Sequence, residues 1–489
     1  MNIKKLYSDV CIVGAGIAGL SLSNFLNDKI KINIIDKGAK RFDPNKQMNP
    51  DVFFNNDYIR KDKQNTLSQL GGTGNIWASR IMKLDEYDFE NTIEEYNWPI
   101  TYNEINGYYK KALKFFKIFE EKCNDNYKDL KLKQIYWPNN KKIFSYSSKF
   151  INNLEKKKNI NFFLEYNLIE IEFTENTNHI INITCKKKDQ IIKFFANEFI
   201  LCCGAIEIVK ILYNSQIKLN NQFKFSNLGK YYMDHPTIKT NSIKINKNEL
   251  NKFFIKHKYK NSFQLGFSHK ENNIQNNNYS VFNYAINEKF DSLEKQLKEL
   301  KKMNLKNFNF KSLLNPSLML NYLLFFNWTY NPQLLNVILN YYFNLNNKQE
   351  IFLQMSHHME QKPNINNALT LSQNIDCNNL RELKLHNNIT NDSIESSKSL
   401  NNKINNFFKF KNSKFDLDLN TISDASHHMG TTRMHSNPKL GVVDKNCKVN
   451  NIENLYVLGP SVFTTSGHAN PVLTVIALSI RMAKMLNEK

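Results

Sequence analysis

Two polar residues near the C-terminal end of the sequence, His427 and Asn470, are the first candidates for chemistry. Each stands beside a glycine-bearing turn, and Pro471 opens a helical pattern directly after Asn470. The ordinary pKa of histidine, about 6.5, suits it to accept a proton near neutrality, and a carboxamide N–H can donate to an oxyanion that forms beside it. The pattern predicts two loop tips that meet over one small site. The adjacent histidines, His428 and His468, are interpreted as packing residues.

The N-terminal segment carries the pattern of a dinucleotide-binding turn. An apolar run, Asp9 to Val13, leads into Gly14-Ala15-Gly16-Ile17-Ala18-Gly19 and a helical pattern, and a second apolar run ends at Asp36. In this order the glycines allow a tight turn and the approach of a pyrophosphate, while the acid accepts ribose hydroxyls. The motif predicts binding of an ADP moiety and does not separate FAD from NAD. The predicted cofactor contacts are Gly14, Gly16, Ile17, Ala18, Gly19 and Asp36.

Two further glycine-bearing segments are typical of backbone that lies against a flat ligand. The run from Leu70 to Arg80 contains a cluster of glycines, with Thr73 and Asn75 as side-chain donors. A buried strand predicted from Phe199 to Cys203 runs directly into Gly204 and a helical pattern. The cofactor contacts predicted from these segments and from the C-terminal region are Gly71, Gly72, Thr73, Asn75, Gly204, Gly459 and Pro471.

The composition is that of a globular chain with a substantial core. Of 489 residues, 41% are hydrophobic, and the net charge of +21 comes from lysines spread along the chain rather than from a basic patch. We therefore expect no nucleic-acid partner. The seven cysteines form no CxxC pair, which argues against disulfides and a metal site and favours a reducing compartment. With no signal-peptide pattern and no apolar run of about 18 residues, we expect a cytoplasmic protein.

The middle of the chain changes character after Asn227. Alternating residues from Thr237 to Ile245, with further strand-like runs up to Ser372, predict an antiparallel sheet. Between these runs, a basic amphipathic helix and an aromatic segment occupy about residues 290–345. This insert is interpreted either as a peripheral membrane contact or as a helical lid, a core element or an oligomer interface. The fold class predicted for the whole chain is α/β (α+β overall).

The motifs, taken in order, resemble the glucose–methanol–choline (GMC) flavin oxidoreductases over nearly the full length. The resemblance rests on GAGIAG, GGTGNIW, NWPITYNEINGYYKKA, LCCGAIEIVKIL, LGKYYMDHP, EQKPNINNALTLS, HHMGTTRM, NLYVLGPSVF and GHANPVLTVIALSIRMA. It implies a Rossmann-like FAD-binding domain built from residues 1–230 and 418–489, and a substrate domain, residues 231–417, with an antiparallel sheet and the helical insert. The family's catalytic pair matches His427 and Asn470. Some members tether the flavin through a histidine whose position is Ile76 here, so the resemblance implies non-covalent FAD.

The resemblance implies an FAD-dependent oxidoreductase that acts on CH–OH groups. His427 would accept the hydroxyl proton, Asn470 would donate to the forming alkoxide, and a hydride would go to the flavin. A sugar or polyol substrate is suggested only by the polar residues from Gln354 to Gln361. The family also includes hydroxynitrile lyases, so a lyase reaction without net redox chemistry is the alternative. The electron acceptor, whether dioxygen, a quinone or a redox protein, stays open.

Overall fold

The structure is a computed structural model that describes most of the chain. The described residues are 3–47, 66–90, 93–120, 129–138, 140–176, 178–219, 225–246, 263–270, 278–284, 350–410 and 413–489. The insert predicted at about residues 290–345, with its membrane-contact hypothesis, lies outside these ranges.

Within the described ranges, strands and helices alternate near both ends of the chain and strands predominate in the middle. The strands are β1 (Lys4–Val13), β2 (Ile32–Asp36), β3 (Leu130–Tyr136), β4 (Ile160–Leu164), β5 (Asn167–Phe173), β6 (Ile180–Lys187), β7 (Gln190–Leu201), β8 (Thr237–Thr240), β9 (Ile243–Asn246), β10 (Phe263–His269), β11 (Tyr279–Tyr284), β12 (Glu350–His358), β13 (Ala368–Ile375), β14 (Arg381–His386), β15 (Leu417–Ser423) and β16 (Leu455–Val457). The α-helices are α1 (Ile17–Phe25), α2 (Tyr102–Phe115), α3 (Lys149–Glu155), α4 (Ala205–Lys218), α5 (Asn391–Phe408) and α6 (Val472–Asn487).

The first sheet is a parallel sheet extended by an antiparallel meander. Its order is β4-β2-β1-β7-β6-β5, and β16 pairs in parallel with the second half of β7. Val13 of β1 and Val457 of β16 are both in register with Leu201 of β7, so three strands end at one edge. Because β16 comes from the C-terminal region, both ends of the chain build this sheet. The predicted α/β class, with a Rossmann-like domain made from both terminal segments, is confirmed.

The second sheet is antiparallel and runs β15-β8-β12-β11-β10-β3, with β9 also paired to β12. Its edge strand β3 comes from the N-terminal segment, which therefore contributes to both sheets. The alternating stretch from Thr237 to Ile245 is divided into β8 and β9 instead of forming one strand. A separate hairpin joins β13 and β14.

The main hydrophobic core lies around the first sheet and its helices. Helix α6 is buried along nearly its whole length because α1 and α2 pack against it. Such a helix must be apolar on most sides, as the run Val472 to Asn487 is. Its polar Thr474 is satisfied by the hydroxyl of Tyr109, at an Oγ1–Oη distance of 2.8 Å. The last helix therefore anchors the loop that carries Asn470.

Three smaller observations concern the described residues. The cysteines in the described ranges, Cys11, Cys185, Cys202, Cys203, Cys377 and Cys447, are free thiols. No cluster of histidine, cysteine or carboxylate side chains suited to a metal ion occurs among the described residues. No helix in the described part of the chain is both long and apolar enough to cross a membrane.

Candidate active site

Three glycines at the carboxyl edge of the first sheet leave open space beside the backbone. A Cβ atom added to Gly16, Gly204 or Gly459 would meet no heavy atom within 4 Å. These residues follow β1, β7 and β16, which end in register. Gly14 serves another purpose, since its φ is +113° and a Cβ there would lie 2.6 Å from the carbonyl carbon of Cys202. The edge is therefore a groove walled by glycine backbone, which suits the close approach of a dinucleotide.

Helix α1 points its N-terminus into this groove. Gly16 is its N-cap residue and no side chain caps the helix, so the first N–H groups, at Ile17 and Ala18, are available to an anion. Gly19 allows the helix to lie close to the turn, because a Cβ there would approach the carbonyl oxygen of Gly14 to 2.1 Å. The geometry is suited to a pyrophosphate group.

Asp36 ends β2 at the same edge and is tied to the glycine turn. Its Oδ2 accepts a hydrogen bond from the N–H of Ala15, and its Oδ1 accepts one from the N–H of Gly38, both at 2.7 Å. Burial raises the pKa of Asp36 to about 6, although the two backbone N–H groups act in the opposite direction. Each carboxylate oxygen has a second lone pair, so a ribose hydroxyl can still donate to this side chain.

The loop from Gly71 to Ile76 packs directly on the same turn. The N–H of Gly71 donates to the carbonyl oxygen of Ala15 at 2.8 Å, and a Cβ on Gly72 would lie 3.1 Å from the Cα of Gly16. The amide of Asn75 donates to the carbonyl oxygens of Leu70 and Gly72 and accepts from the N–H of Tyr146. Asn75, predicted as a donor to the cofactor, thus has its amide engaged in shaping the loop. Thr73 is exposed.

His427 and Asn470 are brought together as the sequence predicted. Nδ2 of Asn470 lies 3.3 Å from Nε2 of His427. Pro471, which is buried, precedes α6 and fixes the loop at the start of that helix. The pairing satisfies the geometric requirement for a base and a hydrogen-bond donor acting on one small group.

The segment before β8 holds His427 in place from the other side. The backbone N–H and carbonyl groups of Met233 and Met429 form an antiparallel bridge, at 3.1 and 3.0 Å. Oδ1 of Asp234 accepts from the N–H of His427 at 2.8 Å and from the N–H of His235 at 2.7 Å. Nδ1 of His235 lies 3.0 Å from Nδ1 of His427. Asp234 and His235 belong to the motif LGKYYMDHP, and the sequence by itself predicts no role for either residue.

The two adjacent histidines have other surroundings. Nδ1 of His428 is 2.7 Å from the hydroxyl of Tyr232. His468 is buried, and burial lowers its pKa to about 3, with the Lys133 cation acting in the same direction. Its Nδ1 lies 3.8 Å from a carboxylate oxygen of Asp85.

The second sheet contributes to a polar wall, and the sequence patterns single out none of its three members. Tyr279 of β11 and His358 of β12 are cross-strand partners, and their rings stack with centroids 4.6 Å apart. Arg80 approaches Nε2 of His358 to 3.1 Å and is also hydrogen-bonded to the hydroxyl of Tyr279. Burial lowers the pKa of His358 well below its ordinary value, and the charge of Arg80 acts in the same direction. A neutral imidazole therefore accompanies a cation on this wall.

Buried carboxyl groups lie behind the loop that carries Asn470. Oε1 of Glu360 accepts from the N–H of Gly467 at 3.1 Å, and Glu360 is only 7% exposed. Asp88 is 2% exposed and lies against Gly467, where a Cβ would be 3.1 Å from both of its carboxylate oxygens. Burial raises the pKa of Asp88 well above its ordinary value, with the charge of Glu360 acting in the same direction. Ionising both carboxyl groups would place two like charges close together in a buried volume, which has a high free-energy cost.

The pKa of Glu360 should make stability depend on pH. Burial raises it from 4.5 to about 8, so the folded protein keeps a proton that the unfolded chain releases. This contribution to stability is fully present below the unfolded pKa and is lost as the pH rises through the folded pKa. We expect the unfolding temperature of the wild type, relative to that of Glu360→Gln, to fall between about pH 5 and about pH 9.

Thermal scans across that pH range test the effect of Glu360. Glu395→Gln is the matched control because Glu395 is exposed on α5, and it should keep the wild-type slope. Parallel curves for the wild type and Glu360→Gln would contradict the raised pKa.

Comparisons with known proteins agree with this geometry. Residues 356–479 match a family model described as GMC oxidoreductase. A solved structure of pyridoxine 4-oxidase from Mesorbium loti has a TM-score of 0.58 at 12% identity, covering 99% of each chain. A variant of the formate oxidase of Aspergillus oryzae RIB40, studied for FAD modification, has a TM-score of 0.56 at 16% identity, covering 100% of this chain and 99% of that one. Among curated proteins, none matches the sequence significantly.

The glycine groove, the acid at the end of β2 and the pair of His427 and Asn470 are the features that the motifs predict for an FAD oxidoreductase. Residues 356–479 are similar to the GMC oxidoreductase family, and the fold is shared with the two oxidases along nearly the whole chain. The resemblance seen in the motifs is thereby confirmed.

Proposed function

We propose that the protein oxidises the CH–OH group of a polar alcohol, with Nε2 of His427 taking the hydroxyl proton. The observation that carries this proposal is the 3.3 Å approach between Nε2 of His427 and Nδ2 of Asn470. An alcohol oxygen that lies beside the pair, within hydrogen-bond reach of both atoms, can donate its proton to the imidazole and accept a hydrogen bond from the amide. The same pair then serves the alkoxide, because the amide N–H stabilises the charge that develops on oxygen.

The groove residues would hold FAD non-covalently. Gly16, Gly204 and Gly459 offer the open backbone, the N-terminus of α1 receives the pyrophosphate, and Asp36 receives the ribose. When bound, FAD supplies the acceptor for the hydride that leaves the carbinol carbon. Of the chain's own residues, His427 accepts the hydroxyl proton and Asn470 holds the substrate oxygen by a hydrogen bond.

We further propose that the substrate is rich in hydroxyl groups, as a sugar or polyol is. Support comes from the wall of Arg80, His358 and Tyr279, which offers donors and acceptors rather than an apolar surface. Hydroxyl groups beyond the one that reacts can pair with these side chains.

Non-covalent binding has a direct test. Ile76 occupies the position where a tethering histidine would be, and its side chain is 53% exposed and cannot form such a bond. We expect acid denaturation to release all of the flavin into the supernatant and to leave the precipitate colourless. Flavin that stays with the washed precipitate would contradict this expectation.

The proposed reaction is tested by mixing the flavin-loaded protein anaerobically with a panel of alcohols and sugars. We expect the visible flavin absorbance to bleach with at least one of them, and reoxidation with dioxygen, a quinone and a redox protein then identifies the acceptor. A protein that cleaves a hydroxynitrile while its flavin stays oxidised would be a lyase, and the proposal would be wrong.

A further inference from the structure

His235 is a buried histidine that bridges the backbone of the Asn470 loop and the ring of His427. Its Nε2 lies 2.9 Å from the carbonyl oxygen of Gly467 and 3.2 Å from that of Ser466. Its Nδ1 lies 3.0 Å from Nδ1 of His427, and the two rings meet edge to face with centroids 5.2 Å apart. The residue is 2% exposed. It therefore touches His427 on the side opposite to Asn470.

The chemistry of these partners fixes where the protons are. A carbonyl oxygen can only accept, so Nε2 of His235 must carry a hydrogen and donate it to the two carbonyl oxygens. Burial lowers the pKa of His235, so the ring is neutral and its Nδ1 has a lone pair. Since that Nδ1 is 3.0 Å from Nδ1 of His427, the hydrogen between them belongs to His427.

The same logic determines the other nitrogen of His427. A neutral imidazole with its hydrogen on Nδ1 has a lone pair on Nε2. Nε2 faces Nδ2 of Asn470 at 3.3 Å, and an amide N–H is the donor that such a lone pair accepts. Asn470 therefore donates to His427, His427 donates to His235, and His235 donates to the backbone carbonyl oxygens of the Asn470 loop. Each of these hydrogen bonds has one donor and one acceptor.

We propose that His235 is a positioning residue that holds His427 in the tautomer with its lone pair on Nε2. The inference rests on the proposed function only in taking Nε2 of His427 as the proton acceptor. When Nε2 takes a proton, Nδ1–H of the resulting imidazolium donates a stronger, charge-assisted hydrogen bond to Nδ1 of His235. His235 thus stabilises the charged ring as well as orienting the neutral one.

The surroundings of His235 are consistent with a ring that stays neutral while His427 changes its charge. The titratable groups around it are Asp234, His358, His427 and His468. Asp234 favours the protonated ring, but burial outweighs it and the net direction of the pKa is downward. Burial also lowers the pKa of His358 and His468.

Two substitutions separate positioning from mere packing. In His235→Gln, the amide N–H can donate to the carbonyl oxygens and the amide oxygen can accept from Nδ1–H of His427, whereas His235→Leu has no polar atom for either role. We expect His235→Leu to slow flavin reduction by a factor on the order of a hundred or more, since a wrong tautomer removes the base. His235→Gln should stay within about tenfold of the wild type. Both variants should bind FAD, and KM should change less than kcat.

A second readout does not depend on turnover. Nitrogen-15 NMR of histidine-labelled protein, with His427→Ala used to assign the signal, reports which nitrogen of His427 carries the hydrogen. We expect Nδ1–H in the wild type and in His235→Gln, and a loss of that preference in His235→Leu. His386→Gln is the control, since that ring is exposed on β14.

Three outcomes would overturn the role of His235. These are a wild-type His427 with its hydrogen on Nε2, a His235→Leu protein that reduces its flavin at the wild-type rate, and equal losses in both variants with an unchanged tautomer. If no alcohol bleaches the wild-type flavin, the proposed function fails, while the NMR result still decides whether His235 sets the tautomer.

Discussion

Replacing His427 with alanine is expected to slow anaerobic flavin reduction by about three orders of magnitude, because the hydroxyl proton loses its acceptor. The flavin content should stay at the wild-type level, since the substitution leaves the glycine groove untouched. Stopped-flow measurement of flavin absorbance at saturating alcohol gives the rate constant. Raising the pH should partly restore the rate, because more of the alcohol then binds as alkoxide.

The control for this experiment is His386→Ala, which removes an exposed imidazole on β14. It should reduce its flavin at the wild-type rate. A His427→Ala protein that did the same, with its FAD bound, would remove His427 from the mechanism.

Gly16→Leu is expected to lower the affinity for FAD at least about a hundredfold while leaving the fold intact. A side chain at Gly16 would project into open space, where no protein atom lies within 4 Å of its Cβ, and would fill the groove that the cofactor needs. The backbone of Gly16 has a φ of −88°, so leucine adopts it without strain. Titration of the apoprotein with FAD, followed by flavin fluorescence, measures the loss.

Gly107→Leu is a matched control for Gly16→Leu. A Cβ on Gly107 also meets no atom within 4 Å, but this glycine is exposed on α2, away from the groove. Because leucine favours a helix over glycine by up to about 1 kcal/mol, the control should be at least as stable as the wild type and should bind FAD normally. If both variants bound FAD equally well, the open space at Gly16 would not be the cofactor site.

The parts of the fold that the sequence predicts are those encoded in short, contiguous patterns. The turn around Gly14 and Gly16 follows one apolar run, and a helical pattern leads from it to a second apolar run. This order by itself predicts two parallel strands connected by a glycine turn and a crossover helix. The sequence predicts that His427 and Asn470 meet because each stands beside a glycine-bearing turn. Their 3.3 Å contact confirms that the two loops meet, and their roles remain predictions.

The rest of the site depends on contacts between distant segments, which local patterns do not encode. His235 and His427 are 192 positions apart, and Arg80 and His358 are 278 apart. Nothing in the residues around His358 distinguishes it from His357, although the strand turns one ring toward Arg80 and the other toward Ser280. For Asn75, the local pattern suggests a role that the structure does not show. An amide next to glycines suggests a donor to a ligand, whereas the amide of Asn75 donates to carbonyl oxygens of its own loop.

The most direct test of the central claim is a single anaerobic turnover of the flavin-loaded protein with an alcohol that bleaches it. If His427 removes the hydroxyl proton while the hydride leaves the carbinol carbon, one aldehyde or ketone forms for each flavin reduced. Deuterium on the carbinol carbon should then slow the bleaching. Carbonyl product that accumulates while the flavin stays oxidised would contradict this account.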